Sequence, residues 1–197
     1  MTNNLSDPWC CGLAGLDVGR YRLAEFVGSG KIGYVYRAEL LEFSGCERAV
    51  KLSFDDPAPG WETELRKVLL LDGAYGVVHF HDLGPAMLTK DGVTKHCHFT
   101  IWDYIPPGEN LRQYLHRVTT IPASYLLAVV EQVLHVLHEC LTRGVIRHGD
   151  LHSGNILIGD PKFARLDDSL KPRAPVYVSD FGYGATGGIK PPKDDYK

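Results

Sequence analysis

The stretch from Ile146 to Leu157, IRHGDLHSGNIL, carries the most informative arrangement of polar side chains in the chain. Asp150 stands five residues before Asn155, and an apolar run typical of a β-strand follows directly. A carboxylate in such a loop can accept the proton of an attacking hydroxyl, and a carboxamide oxygen can bind Mg²⁺. Because aspartate in a loop also serves as an ordinary turn or cap residue, the spacing alone leaves both interpretations open.

A second carboxylate follows a second short apolar strand. The sequence Val178-Ser179-Asp180-Phe181-Gly182 places Asp180 at the end of that strand. Magnesium takes a few hard oxygen ligands from protein and keeps its other positions for water and phosphate. We therefore expect Asp180 and Asn155 to share one Mg²⁺ ion.

A glycine-rich segment precedes both loops in the chain. The residues Gly28-Ser29-Gly30-Lys31-Ile32-Gly33-Tyr34-Val35 fit the pattern G-x-G-x-x-G-x-V. Glycines allow backbone N–H groups to approach a triphosphate without a clash from Cβ. β-branched and aromatic residues alternate after the third glycine, which favours a hairpin over the strand-to-helix loop of a dinucleotide-binding fold. A tight turn without a ligand is the alternative interpretation.

A lysine and a glutamate complete the set of polar candidates. Lys51 ends the strand segment Ala49-Val50-Lys51, from which its ammonium can reach phosphate oxygens. A lysine on a strand can equally face solvent. Helical spacing from Trp61 to Leu71 places Glu64 near the inward apolar stripe, so Glu64 can hold that ammonium in place, whereas Glu62 lies on nearly the opposite face.

The pattern of strands and helices predicts an α+β fold with two lobes. Strand-like alternation begins at Tyr21, and Asp91-Gly92 marks a further hairpin. We expect an N-terminal extension over residues 1–20, a strand-rich lobe over 21–106 and a helix-rich part over 107–197. A long amphipathic helix is expected from Pro122 to Arg143. Its expected buried stripe is Leu126, Leu127, Val130, Val133, Leu134, Leu137 and Leu141.

Composition excludes several classes of protein. The 197 residues include 21 Lys or Arg and 24 Asp or Glu, a formal net charge of −3, which argues against nucleic-acid binding. No apolar stretch approaches the ~20 residues of a membrane-spanning helix, and the N-terminus does not have the pattern of a secretory signal. Five cysteines do not indicate a disulfide framework, so we expect a cytoplasmic protein with reduced thiols.

These motifs occur together in the order found in protein kinases. From about Tyr21 to Gly182 the chain resembles the protein-kinase-like superfamily, of the bacterial Ser/Thr protein-kinase type. The resemblance implies an antiparallel-sheet N-lobe with one helix, an incomplete helical C-lobe, ATP and Mg²⁺ as cofactors, and a Ser/Thr hydroxyl of a protein as acceptor. It implies that Lys51, held by Glu64, binds the α/β-phosphates and that Asp150 orients the acceptor.

The resemblance extends to the expected adenine site. Trp102-Asp103-Tyr104-Ile105 looks like a gatekeeper followed by the hinge whose backbone binds adenine. Val35, Ala49 and Leu157 look like the apolar residues on either side of the base, although plain core packing explains them equally.

The chain departs from the kinase pattern at three places. Gly149 replaces the arginine of His-Arg-Asp, which puts regulation by activation-loop phosphorylation in doubt. His152 stands where a lysine commonly contacts the γ-phosphate, and His-Gly-Asp-Leu-His is more similar to aminoglycoside and choline-type phosphotransferases. After Gly182 no Ala-Pro-Glu follows, so we expect an N-terminal fragment of a longer kinase-like protein. A non-catalytic nucleotide-binding or interaction module and a small-molecule kinase remain the alternatives.

Overall fold

A six-stranded antiparallel sheet forms the N-terminal lobe. The structure, a computed structural model, describes residues 7–30, 33–54, 61–145, 147–160, 165–166, 172–173 and 175–181. The strands lie in the order β1-β2-β3-β4-β6-β5. Their bounds are Asp17–Val18 (β1), Tyr21–Gly30 (β2), Gly33–Leu40 (β3), Glu47–Ser53 (β4), Phe80–Lys90 (β5) and Val93–Asp103 (β6). Helix α1, Pro8–Cys11, precedes the sheet, and α2, Trp61–Leu70, connects β4 to β5.

The segment of residues 7–20 is part of this lobe's core. Leu13 and Val18 are fully buried in the same cluster as Tyr36. The Tyr36 hydroxyl accepts a hydrogen bond from the Leu13 N–H at 3.0 Å and donates one to the Cys10 carbonyl at 2.5 Å. Because these groups are buried, their mutual pairing holds the segment against the sheet.

The second lobe is built around a separate apolar cluster. It contains β7 (Glu109–Asn110), α3 (Leu111–Arg117), α4 (Ala123–Thr142), β8 (Ile156–Ile158), β9 (Arg165–Leu166), β10 (Pro172–Arg173) and β11 (Val176–Val178). The strands form a sheet in the order β11-β8-β7 and a separate β9–β10 pair. Leu71, Ala74 and Val77, which precede residue 106, belong to this second cluster. Residues on both sides of residue 106 therefore pack in one cluster. The boundary between the lobes at residue 106 stays a prediction.

The predicted buried stripe of α4 is wrong for most of its members. Leu127 and Leu134 are 69% and 60% exposed, and Leu126, Val130 and Leu141 are exposed as well. Val133 is buried and Leu137 is partly buried against the core, as expected. The helix instead buries Val129, Val133, Val136 and Cys140. Because α4 is apolar around more than half of its circumference, periodicity could not decide which of two stripes packs against β11.

The two-lobed α+β fold is confirmed, and the bounds of α2 and α4 differ from the predicted ones by at most one residue at each end. None of the helices within the described ranges is long and apolar enough to span a bilayer.

Candidate active site between the lobes

A cavity of about 460 Å³ opens between the two lobes, a size typical of small-molecule sites. Twelve of the predicted site residues line it: Gly28, Ser29, Gly30, Val35, Ala49, Lys51, Asp103, Ile105, His152, Asn155, Leu157 and Asp180. Lys31 and Ile32 lie outside the described residues. Glu64 lies in α2, but its side chain is likewise outside the described part of the structure.

The ion pair between Lys51 and Asp180 joins the two lobes. Lys51 lies on β4 and Asp180 follows β11, so residues 129 positions apart in the chain meet with Nζ and Oδ1 at 2.8 Å. The Lys51 side chain is 15% exposed and that of Asp180 is 36% exposed. Asp180 has a φ of 58°, in the left-handed region that aspartate tolerates better than most residues. The cavity therefore holds an ammonium and a carboxylate in direct contact.

Asn155 ties the Asp150 loop to the segment that carries Asp180. Its amide nitrogen donates to the Asp150 carbonyl at 2.9 Å, and its own backbone carbonyl accepts from the Ser179 N–H at 3.0 Å. The residue is 8% exposed. Because the first bond uses the nitrogen, which cannot bind a metal, the carboxamide oxygen is the atom suited to a cation.

His148 holds the same loop from its buried side. It is 4% exposed, its Nε2 lies 2.8 Å from the Ser179 carbonyl, and its Nδ1 accepts from the Asp150 N–H at 3.2 Å. Burial lowers the pKa of His148, which favours the neutral ring. A neutral ring protonated at Nε2 satisfies both bonds. Its ring centroid lies 4.4 Å from that of Phe181.

His152 and Asp150 lie side by side at the edge of the cavity. Nε2 of His152 is 3.8 Å from Oδ2 of Asp150, and both side chains are more than two-fifths exposed. Nδ1 of His152 accepts from the Gly154 N–H at 3.0 Å, which leaves Nε2 to carry a proton towards Asp150. Asp150 itself does not line the cavity. Asp150 lies next to His152, which does line the cavity.

The three glycines of the glycine-rich segment differ in their surroundings. A Cβ at Gly28 or Gly30 would meet no atom within 4 Å, so both positions border open space. A Cβ at Gly33 would lie 2.3 Å from the Leu52 carbonyl oxygen. Gly33, predicted to bind the nucleotide, does not line the cavity. Its lack of a side chain lets β3 pass close to β4.

Apolar side chains from both lobes line part of the cavity. Val35 and Ala49 come from the sheet and Leu157 from β8. Trp102 also lines the cavity, and its ring packs edge-to-face on Phe80 with centroids 5.3 Å apart. The Asp103 carboxylate is 2.6 Å from Nε2 of His81. The Asp103 N–H is engaged as well, because it donates to the His79 carbonyl at 2.9 Å.

Several lining residues were not predicted from the sequence. They include Val78, Asn110, Arg112 and Gln113. Asn110 and Gln113 form a capping box at the start of α3, and the Arg112 N–H donates to the Ser153 carbonyl at 3.0 Å. The Asn-x-x-Gln spacing directly after the predicted lobe boundary is typical of a capping box. It could have predicted that a helix begins here, beside the cavity.

The sequence is similar to that of mycobacterial protein kinases. It is 27% identical over 169 residues to the serine/threonine-protein kinase PknA of Mycobacterium tuberculosis, and equally to PknA of Mycobacterium bovis. Each match covers 83% of this chain and 35% of the relative. The chain thus spans about a third of the length of these curated relatives. No protein-family model matches it.

The fold is similar to that of a solved kinase domain. The crystal structure of the Mycobacterium tuberculosis PknI kinase domain superposes with a TM-score of 0.62 at 19% identity, over 87% of this chain and 63% of that chain. A crystal structure of the same domain with a single cysteine-to-alanine substitution gives the same TM-score at 20% identity. The chain therefore has the fold of a protein kinase domain, and its sequence is similar to that of PknA.

Proposed function

We propose that this chain is an ATP- and Mg²⁺-dependent phosphotransferase of the Ser/Thr protein-kinase type. The observation that carries the proposal is the 2.8 Å contact of Lys51 with Asp180 inside the cavity. A basic group for phosphates and an acidic group for a metal must meet across the cleft in such an enzyme.

The residues present fit Mg²⁺–ATP. The cavity is lined by apolar side chains that suit a base and by the polar side chains of Lys51, Asn155 and Asp180. Gly28 and Gly30 leave open space above it, where backbone N–H groups can approach phosphates. Asp180 and the carboxamide oxygen of Asn155 would hold Mg²⁺, and Lys51 would bind the α/β-phosphates. Bound Mg²⁺–ATP supplies the phosphoryl group that is transferred.

The chain's own contribution is orientation and proton transfer. Asp150 accepts the proton of the acceptor hydroxyl as its oxygen bonds to phosphorus and the bond to the ADP oxygen breaks. The Asn155 amide holds the backbone of Asp150, and His148 holds the same loop from the buried side. The loop is thus fixed at both ends before the acceptor arrives, which lowers the cost of alignment.

The acceptor and the location follow from the same proposal. A Ser or Thr hydroxyl of a cytoplasmic protein is the acceptor we infer, supported by the similarity to PknA. A small-molecule acceptor is the second candidate, favoured by the imidazole of His152 beside Asp150.

The test compares two aspartates that share an unusual backbone conformation. Asp180→Asn should abolish Mg²⁺-dependent ATP hydrolysis and autophosphorylation and remove the Mg²⁺-dependent thermal stabilisation by ATP. Asp91→Asn is the matched control, because Asp91 has a φ of 53° and lies exposed in the β5–β6 turn. Equal activity of Asp180→Asn and the unaltered chain would refute the proposal. ATP binding without turnover in the unaltered chain would support the non-catalytic module instead.

A further inference from the structure

One lysine and one arginine line the described part of the cavity, Lys51 and Arg112. They enter it from different lobes, Lys51 from β4 and Arg112 from the first turn of α3. Lys51 is paired with Asp180. Arg112 is therefore the second source of fixed positive charge in this site.

Arg112 lies over the loop that carries the acceptor-orienting aspartate. Its backbone N–H donates to the Ser153 carbonyl, which fixes the start of α3 against this loop. The point that a Cβ on Gly154 would occupy is 3.8 Å from Cζ of Arg112 and 2.8 Å from Cε1 of His152. The guanidinium and the imidazole therefore border the same small space.

That space adjoins the position at which phosphoryl transfer must occur. His152 reaches towards Asp150, with Nε2 3.8 Å from Oδ2. The hydroxyl that Asp150 orients must meet the terminal phosphate nearby. Negative charge on the transferred group needs a fixed positive partner, and the Nδ1 of His152 is already occupied as an acceptor from Gly154.

We propose that Arg112 binds the terminal phosphate of the nucleotide and supplies from α3 the positive charge that the loop lacks at His152. This inference rests on the proposed function, because it requires ATP in the cavity. It assigns Lys51 and Arg112 to different parts of the triphosphate, with Arg112 contacting the γ-phosphate alone. A planar guanidinium suits this role, because it can donate two parallel hydrogen bonds to phosphate oxygens.

The comparison of ATP with ADP tests the proposal, because the two nucleotides differ in that phosphate. Arg112→Ala should raise the Kd of Mg²⁺–ATP about five- to tenfold, as expected for an exposed charge-assisted contact, and leave the Kd of Mg²⁺–ADP unchanged. Arg112→Lys should recover part of the ATP affinity. The binding constants are measured by calorimetry on the full chain, with melting temperatures checked for each variant.

Arg117→Ala is the matched control. It removes the same charge from the same helix, but Arg117 pairs with Glu109 and does not line the cavity. An equal loss of ATP and ADP affinity in Arg112→Ala would overturn the assignment, and so would unchanged affinity for both. If the unaltered chain binds neither nucleotide, the proposed function itself fails. If it binds both and Arg112→Ala does not change the ratio of the two affinities, only the role of Arg112 fails. If Arg112→Ala does not fold, Arg112→Gln tests the same ratio.

Discussion

Replacing Gly33 with alanine should destabilise the N-terminal sheet, whereas the same change at Gly28 should not. At Gly33 the new Cβ would lie 2.3 Å from the Leu52 carbonyl oxygen and 3.1 Å from its carbonyl carbon. The obstacle is backbone rather than a flexible side chain. Leu52 pairs with Tyr34, the residue next to Gly33, so relief requires β3 and β4 to separate.

The expected magnitudes follow from this geometry. Forcing extra atoms into a packed site costs about 1–3 kcal/mol. For a chain of this size that corresponds to a melting temperature about 3–10 °C lower for Gly33→Ala. At Gly28 no atom lies within 4 Å of the added Cβ, and loss of glycine's freedom in the unfolded chain stabilises by about 0.4–1 kcal/mol at most. The added methyl group borders the cavity, so Mg²⁺–ATP should bind about tenfold more weakly to Gly28→Ala.

Thermal denaturation followed by circular dichroism, with and without Mg²⁺–ATP, separates the two effects. An unchanged melting temperature for Gly33→Ala would refute the close approach of β3 and β4. A Gly28→Ala variant that melts as low as Gly33→Ala, or that binds nucleotide normally, would refute the assignment of that glycine to the ligand.

Substitutions at three residues test further single contacts. Both Asp180→Asn and Asp180→Ala lose the charge paired with Lys51, but Asp180→Ala should unfold about 1 kcal/mol more easily than Asp180→Asn, because alanine tolerates a φ of 58° less well than asparagine. Since burial lowers the pKa of His148, the unfolded chain takes up a proton before the folded chain as pH falls. The free energy of unfolding in urea should therefore decline between about pH 7.5 and 5.5, and His148→Gln should flatten that decline; parallel slopes would contradict it. Tyr36→Phe should cost about 1–3 kcal/mol, because it leaves the Leu13 N–H and the Cys10 carbonyl without their buried partner. Hydrogen exchange at Leu13 should accelerate, and unchanged exchange would show that another group holds the segment.

The sequence was sufficient for the two-lobed fold and for most of the cavity wall, because these depend on local signals. Alternation of side chains places Val35, Ala49 and Lys51 on particular strands, and turn residues set the hairpin at Asp91-Gly92. The order of motifs then predicts that Lys51 and Asp180 converge, and their atoms lie 2.8 Å apart.

The error on α4 occurred where the sequence offers two equivalent choices. On α4, two apolar stripes compete, and only the position of β11 decides that Val129 and Val136 are buried while Leu127 and Leu134 are exposed. At Gly33, the ligand-binding role stays a prediction, and the close approach of Leu52 on the neighbouring strand gives a structural reason for glycine that the pattern did not predict. Neither fact is present in local spacing, because each depends on an element distant in the chain.

The departures of the Asp150 loop from the kinase pattern have a structural basis at one position. Gly149 has a φ of 93°, a conformation in which a side chain is strained, so an arginine does not fit this backbone without a change of loop shape. The loop is instead held by His148, which bonds to the Asp150 N–H and to the Ser179 carbonyl. With glycine at 149 and imidazole at 152, the loop contributes no permanent positive charge at either place. On our proposal that charge comes from Arg112 on α3. A motif within the loop cannot reveal a basic residue that another element supplies. The site can therefore hold the positive charge that phosphoryl transfer requires even though position 152 is not a lysine.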